Sequence, residues 1–186
     1  MNQKETAVTA LLLVDIQYDF LEAEGLSPDL ETFLNGVEKL LNGFRLLTLP
    51  VAHIRTLVLP DGSNAMPHRR AKPLCVVGSY GASFPESVKE LPGELIAVKQ
   101  FFNGFADTNL DSWLRANNVT HVVVSGLFEY ACVRETAMDA YEKGFEVLIA
   151  SDAVTSDNPE HASYNRVWMD NRIARYMSVE EILKQV

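Results

Sequence analysis

The sequence predicts an α/β fold: a mostly parallel sheet of about six strands between two layers of helices, a three-layer α/β/α, Rossmann-like arrangement in one domain. Three observations carry this. Strand-length apolar runs alternate with helix-period segments along the whole chain. The first run, Val8 to Val14, is apolar at nearly every position and ends in Asp15, as a strand covered on both faces requires. Finally, 186 residues with 47% apolar and 22% charged side chains suit one medium-sized core. No repeat, low-complexity stretch or composition shift divides residues 1–186.

After the first strand, Ser27 reads as a helix cap and Pro28 as the first helical residue, followed by Leu30, Phe33, Leu34, Val37, Leu40, Leu41 and Phe44 at helical spacing. Val51 to Val58 reads as a second strand and Leu95 to Val98, ending at Lys99, as a third. Between them residues 59–93 form a long connection rich in Gly, Pro and Ser, a length that often carries function. Thr108 with Asp111 resembles a capping box for a helix through Trp113 and Leu114. Thr120 to Ser125 is a fourth strand, which Gly126 breaks. Cys132 to Lys143 is a helix ended by Gly144, and Phe145 to Ala150 a fifth strand. Asn158 and Pro159 open another helix, a short strand lies near Ile173 to Met177, and Ser178 with Glu181 caps a last helix.

Composition narrows the function. A formal net charge of −9, with basic residues concentrated only at His68, Arg69 and Arg70, argues against a nucleic-acid partner, whose phosphates need a positive stripe. No run reaches the roughly 18 to 20 apolar residues of a membrane span, and Met1 to Thr6 is polar rather than a signal peptide, so no membrane association is expected. Two cysteines, Cys75 and Cys132, point to a reducing, cytoplasmic compartment rather than a disulfide-stapled secreted fold.

In parallel sheets ligands bind beyond the carboxyl ends of the strands. Asp15 follows the first strand, Lys99 the third, and Cys132 lies just past the fourth at a helix start. Together they could supply a base, a cationic orienter and a nucleophile whose thiolate is favoured by the helix amides and the lysine. Each also has a plainer reading: a turn cap for Asp15, a solvated strand end for Lys99, a small buried residue for Cys132. Their coincidence at one sheet edge favours chemistry. Cys75 stands in the long loop without a role. His53, His68, His121 and His161 lack ligand spacing, and no glycine-rich phosphate loop occurs, so neither a metal nor another cofactor is expected.

These residues resemble the isochorismatase-like cysteine hydrolases, the family of nicotinamidases, N-carbamoylsarcosine amidohydrolases and ureidoacrylate hydrolases. LLLVDIQYDF (Leu11 to Phe20) is similar to the family's strand with its aspartate. CVVGSYGA (Cys75 to Ala82) resembles its C-x-x-G-T-x-G-A loop, with Ser79 for Thr. KQFFNGF (Lys99 to Phe105) is similar to its lysine segment, and Ser125 to Val147 to its nucleophile loop and helix. The resemblance covers most of the chain and implies a catalytic triad of Asp15, Lys99 and Cys132. It further implies a cis peptide between Leu127 and Phe128, an oxyanion hole from the Phe128 and Cys132 amides, and a homo-oligomer. Members that cleave the vinyl ether of isochorismate lack the cysteine, so Cys132 favours attack on a C–N bond.

The chain also departs from the family pattern. Metal-binding nicotinamidases carry Asp-x-His after the second strand and a histidine before the loop cysteine, where this chain has Arg55, Thr56, Leu57 and Leu74; their pocket tryptophan is Ala71 here. Glu129 and Tyr130 replace the usual Thr and Asn or Asp. Phe20, Phe102, Phe105, Glu129 and Tyr130 are the candidate pocket residues, with core packing the alternative for Phe102 and Phe105. The expected function is metal-independent hydrolysis of a small amide, carbamoyl or ureido substrate through a thioester. Nicotinamide deamidation or other isochorismatase-like hydrolysis is an alternative, and a catalytically silent binding or assembly module is another.

Overall fold

The computed structural model describes residues 7–186. Six strands, β1 (Val8–Val14), β2 (Val51–Thr56), β3 (Leu95–Lys99), β4 (Val119–Leu127), β5 (Glu146–Thr155) and β6 (Arg175–Met177), form one all-parallel sheet in the order β3-β2-β1-β4-β5-β6. The chain winds outward from β1 to β3, returns to β4 beside β1, and winds out the other way. The direction of winding reverses between β1 and β4, the switch point beyond whose carboxyl ends such sheets bind ligands.

Both sheet faces are covered, which is why β1 is apolar at consecutive positions. Leu11 and Leu13 pack with Phe33, Val37, Leu40, Leu41 and Phe44 of α2 (Leu30–Leu46) and with Val179 and Ile182 of α6 (Val179–Leu183). Ala10, Leu12 and Val14 face the other way, toward Leu110 and Leu114 of α3 (Leu110–Ala116) and Ala137 and Ala140 of α4 (Arg134–Glu142). A short α1 (Tyr18–Leu21) follows β1, and α5 (Pro159–Met169) follows β5.

Several boundaries differ from expectation, each for a local reason. α2 begins at Leu30 with Asp29 as its cap, accepting the Thr32 N–H at 3.1 Å; Pro28 lies outside the helix after a cis Ser27–Pro28 bond. β2 stops at Thr56 because Val58 pairs with the long connection instead, donating to the Cys75 carbonyl and accepting from the Val77 amide. The capping box at Thr108 does not form: its hydroxyl donates to the Gly104 carbonyl at 2.8 Å and accepts the Leu110 amide at 3.3 Å, and Asn109 takes the cap position. Gly126 continues β4 rather than breaking it. Its φ of 127° brings β4 so close to β1 that a Cβ would overlap the Val14 carbonyl oxygen. By contrast, Asn158 caps α5, and Ser178 with Glu181 forms the expected capping box on α6.

A polar clasp secures the long connection to the sheet. Glu94 accepts two hydrogen bonds from Arg45 of α2, at 2.7 and 2.9 Å, one from the Leu91 amide, and one from His53 Nε2 of β2 at 2.8 Å. Burial opposes ionisation of Glu94, but these donors outweigh it and bring its pKa from 4.5 down to about 2. A carboxylate depressed in the folded state stabilises above its unfolded pKa and loses that contribution as pH falls through the folded one. Acid titration of the melting temperature is therefore expected to decline between about 4.5 and about 2. Glu94→Gln flattens that limb and lowers the melting temperature at pH 7 by roughly 3–6 °C. An unchanged acid limb in the variant would assign it to other carboxylates.

Candidate active site

Asp15, Lys99 and Cys132, far apart in sequence, meet beyond the carboxyl ends of β1, β2 and β3. Asp15 is the first residue beyond β1, in left-handed conformation with φ 54°, and its amide donates to the Ile54 carbonyl of β2 at 2.9 Å. This turn swings its carboxylate across the end of β2 toward β3. Lys99 closes β3, and its ammonium reaches Asp15 Oδ2 at 2.6 Å, Thr56 Oγ1 at 3.0 Å, the Phe101 carbonyl at 3.0 Å and Cys132 Sγ at 3.5 Å. Thr56, the last residue of β2, accepts from Lys99 and donates to Asp15 Oδ1 at 2.9 Å, so each carboxylate oxygen has its own donor. Asp15 and Lys99 are 0% and 2% exposed, which makes this a desolvated ion pair rather than a solvated strand end.

Gln17 holds the frame. Fully buried, it donates from Nε2 to the carbonyls of Thr56 and Ala82 and accepts the Thr56 amide, all at 2.9 Å. The Asp19 carboxylate receives the Cys75 amide at 2.6 Å, and Gly81 leaves the room that carboxylate occupies, since a Cβ there would overlap it. Thus the segment Cys75 to Ala82 is tied to the β1–α1 turn. Cys75 itself is buried, with its thiol pushed up first by desolvation and then by Asp15 and Asp19, and is inert in that setting.

Cys132 sits in a turn of π-helix, Glu129–Val133, ahead of α4, not in the first turn of a continuous α-helix. The Phe128 carbonyl accepts the amides of Ala131 at 3.0 Å and Val133 at 3.3 Å, bypassing the Cys132 N–H between them. The Leu127–Phe128 bond is cis. Two clamps fix this turn from α5 and the end of β5. Glu129, 3% exposed, takes Arg166 Nε at 3.0 Å and a second guanidinium nitrogen at 2.9 Å, while its amide donates to Ser156 Oγ at 2.9 Å. The electrostatics reverse one expectation. Desolvation first, then the Asp15 carboxylate, push the Cys132 thiol up, and Lys99 offsets this only in part. At rest the sulfur is a thiol beside a carboxylate, not a thiolate. The Lys99 ammonium loses hydration by burial, but Asp15 above all raises its pKa, so it stays charged.

A mainly apolar cleft opens onto Cys132 and Lys99. Phe20, Phe102 and Phe128 line it, with Met66, Arg69 and Leu74 contributed by the long connection. Phe20 and Phe128 meet edge to face at 6.0 Å. The structure does not bring the other candidate pocket residues into this cleft. Phe105 is buried in the core and stacks on Phe145 at 6.4 Å, because Gly104 turns the chain inward against Thr136. Glu129 is spent on Arg166. Tyr130 braces the back of Phe128, with rings stacked at 6.2 Å, and its hydroxyl donates to Asp157 at 2.8 Å.

The family model described as "Isochorismatase domain" matches residues 9–181. The chain belongs to the isochorismatase family. It is 28% identical over 185 residues to the isochorismatase family protein YecD of Escherichia coli O157:H7, covering 98% of each chain. Among solved structures, an isochorismatase family protein of Desulfovibrio vulgaris superposes with a TM-score of 0.86 at 28% identity, over 95% of this chain and 97% of that one. N-carbamoylsarcosine amidase of Thermoplasma acidophilum does so with a TM-score of 0.79 at 26% identity, over 93% and 97%. The chain is thus an isochorismatase-family hydrolase, in a family that includes amidases.

Within this isochorismatase fold, sequence reasoning overlooked Thr56, Arg69 and the bracing by Gln17. Thr56 carried no strand-end signal, because the apolar run continues to Val58 and only the pairing of Val58 with the long connection ends β2 at Thr56. The inward turn of Arg69 had none either, since the long connection has no periodicity from which to read a direction. No described helix is long and apolar enough to cross a membrane.

Proposed function

We propose that the protein is a cysteine amidohydrolase that cleaves the C–N bond of a small amide, carbamoyl or ureido substrate through a thioester. The observation that carries this reading is the buried contact of Cys132 Sγ with the Lys99 ammonium at 3.5 Å, an ammonium that also holds the Asp15 carboxylate at 2.6 Å. Because the thiol is protonated at rest, Asp15 takes its proton as sulfur attacks the carbonyl carbon. The amides of Phe128 and Cys132 receive the developing oxyanion. Asp15 returns the proton to the departing nitrogen as the C–N bond breaks, leaving the acyl group on sulfur. It then removes a proton from water, which attacks the thioester, and the thiol is restored. Lys99 holds the carboxylate in register between the two halves. Similarity to N-carbamoylsarcosine amidase supports the C–N reading.

The metal-independent part of the proposal rests on the donor set. Arg55, Thr56, Leu57 and Leu74 stand where metal-binding nicotinamidases carry ligands, and the described residues hold no group of three or more His, Cys, Asp or Glu side chains placed for a metal. The test is a panel of amides, N-carbamoyl amino acids and alkylureas, followed by ammonia release and by intact mass after rapid acid quench. An adduct on Cys132, its mass giving the acyl group, is expected for any compound that is turned over. Turnover with an adduct elsewhere would remove Cys132 as nucleophile, and silence across the panel would favour a binding module.

A further inference from the structure

We propose that Arg69 is a specificity-determining residue that binds a carboxylate on the substrate, so that the amide hydrolysed is an anion. This deepens the amidohydrolase reading and rests on it. The three-residue basic stretch, the only concentration of positive charge in an acidic chain, is divided by a short 3₁₀ turn, Pro67–Arg69. His68 stacks on Phe102 with ring centroids 6.1 Å apart, and Arg70 is exposed. Arg69, half-buried between them, lines the cleft that holds Cys132.

What distinguishes Arg69 is its lack of a partner inside the cleft; Arg134, half-buried with its Nε also unpartnered by a hydrogen bond, lies outside it. The other half-buried arginines that tie elements together are neutralised: Arg45 by Glu94, Arg55 by Glu90, Arg166 by Glu129. Among the described residues Arg69 has no ion pair, no guanidinium hydrogen bond and no stacked aromatic ring. A half-buried guanidinium in an apolar cleft gains most from a planar, bidentate anion, and a carboxylate has that geometry. The other polar groups in the cleft do not compete for such an anion. Thr56 and Lys99 are committed to Asp15, and Gln100, exposed and uncharged, can add a hydrogen bond. A protein of net charge −9 repels anions at long range, so an anionic substrate needs a local cation of this kind.

The test separates charge recognition from amide chemistry by alkylating the thiol with two probes of similar size, anionic iodoacetate and neutral iodoacetamide. Label is assigned to Cys132 by peptide mass in the wild type, Arg69→Met and Arg69→Lys. Arg69→Met is expected to lower the ratio of iodoacetate to iodoacetamide rates roughly tenfold, the scale of one charge-assisted contact, and Arg69→Lys to restore part of it. In parallel, 3-ureidopropionate should be turned over in preference to n-butylurea by the wild type, and the preference should shrink in Arg69→Met. An unchanged rate ratio in Arg69→Met overturns the inference even where Cys132-dependent hydrolysis of an amide stands. Where the protonated thiol reacts with neither reagent, equal turnover of 3-ureidopropionate and n-butylurea by the wild type overturns the inference. A charge preference without hydrolysis of any amide would leave the anion site standing and remove the amidohydrolase reading instead.

Discussion

Replacing Cys132 with alanine is expected to reduce amide hydrolysis by about 10⁴-fold or more while shifting the melting temperature by no more than about 4 °C. The two effects separate because of how the sulfur sits. Its hydrogen-bond partner is Lys99 at 3.5 Å, and Lys99 keeps Asp15, Thr56 and the Phe101 carbonyl when the thiol is removed. The π turn is held by Glu129, Arg166 and Ser156, none of which touches the cysteine side chain in that network. Cys132→Ser is a stricter form of the experiment. A hydroxyl in the same place is harder to deprotonate than a thiol that burial has already pushed up, so serine should remain close to the alanine variant in rate. Activity of either variant within tenfold of the parent, measured as kcat/KM for ammonia release, would mean that another group attacks the carbonyl.

Lys99→Met is expected to abolish activity and also to destabilise the fold by about 3–5 kcal/mol, because it leaves the Asp15 carboxylate buried without its counter-charge. The Thr56 hydroxyl remains to donate to one carboxylate oxygen, but the ammonium at 2.6 Å is lost. Asp15→Asn strands Lys99 in the same way. The informative protein is the double variant, Asp15→Asn with Lys99→Met. With both charges gone, much of the stability should return, giving a coupling energy of opposite sign to the single losses, while hydrolysis stays absent. Thermal denaturation of the four proteins at one pH measures this. Strict additivity of the two single effects would show that the pair is not a unit.

The reach of the sequence varied from element to element. Strand β1 was legible to the residue because seven consecutive positions, apolar but for Thr9, cannot serve a one-sided sheet. The caps at Asn158 and Ser178 were legible because a cap is a local bargain between a side chain and amides two or three residues on. Thr108 offered the same pattern and failed, since the turn places Asn109 at the cap and leaves the Thr108 oxygen facing the Leu110 amide rather than that of Asp111. Gly126 was misread for a related reason: propensity treats glycine as a break, whereas close approach of a neighbouring strand makes it the one residue that lets the strand go on. Residue types likewise could not say which aromatic faces the cleft. Phe102 and Phe105 are three positions apart, and only the turn at Gly104 sends one to the cleft and the other to the core.

By itself, the sequence determined the fold class, the order of elements and the edge of the sheet where Asp15, Lys99 and Cys132 would gather, because strand ends and hydrophobic period are properties of short stretches of chain. Tertiary structure alone decided the protonation of the site. Helix position and a nearby lysine, read along the chain, favour a thiolate. Burial beside a carboxylate that arrives from another strand favours the thiol, and that contact exists only once β1 and β4 lie side by side. The direction of Arg69 belongs to the same class: it depends on how a long connection crosses the sheet edge, which no short stretch of sequence specifies.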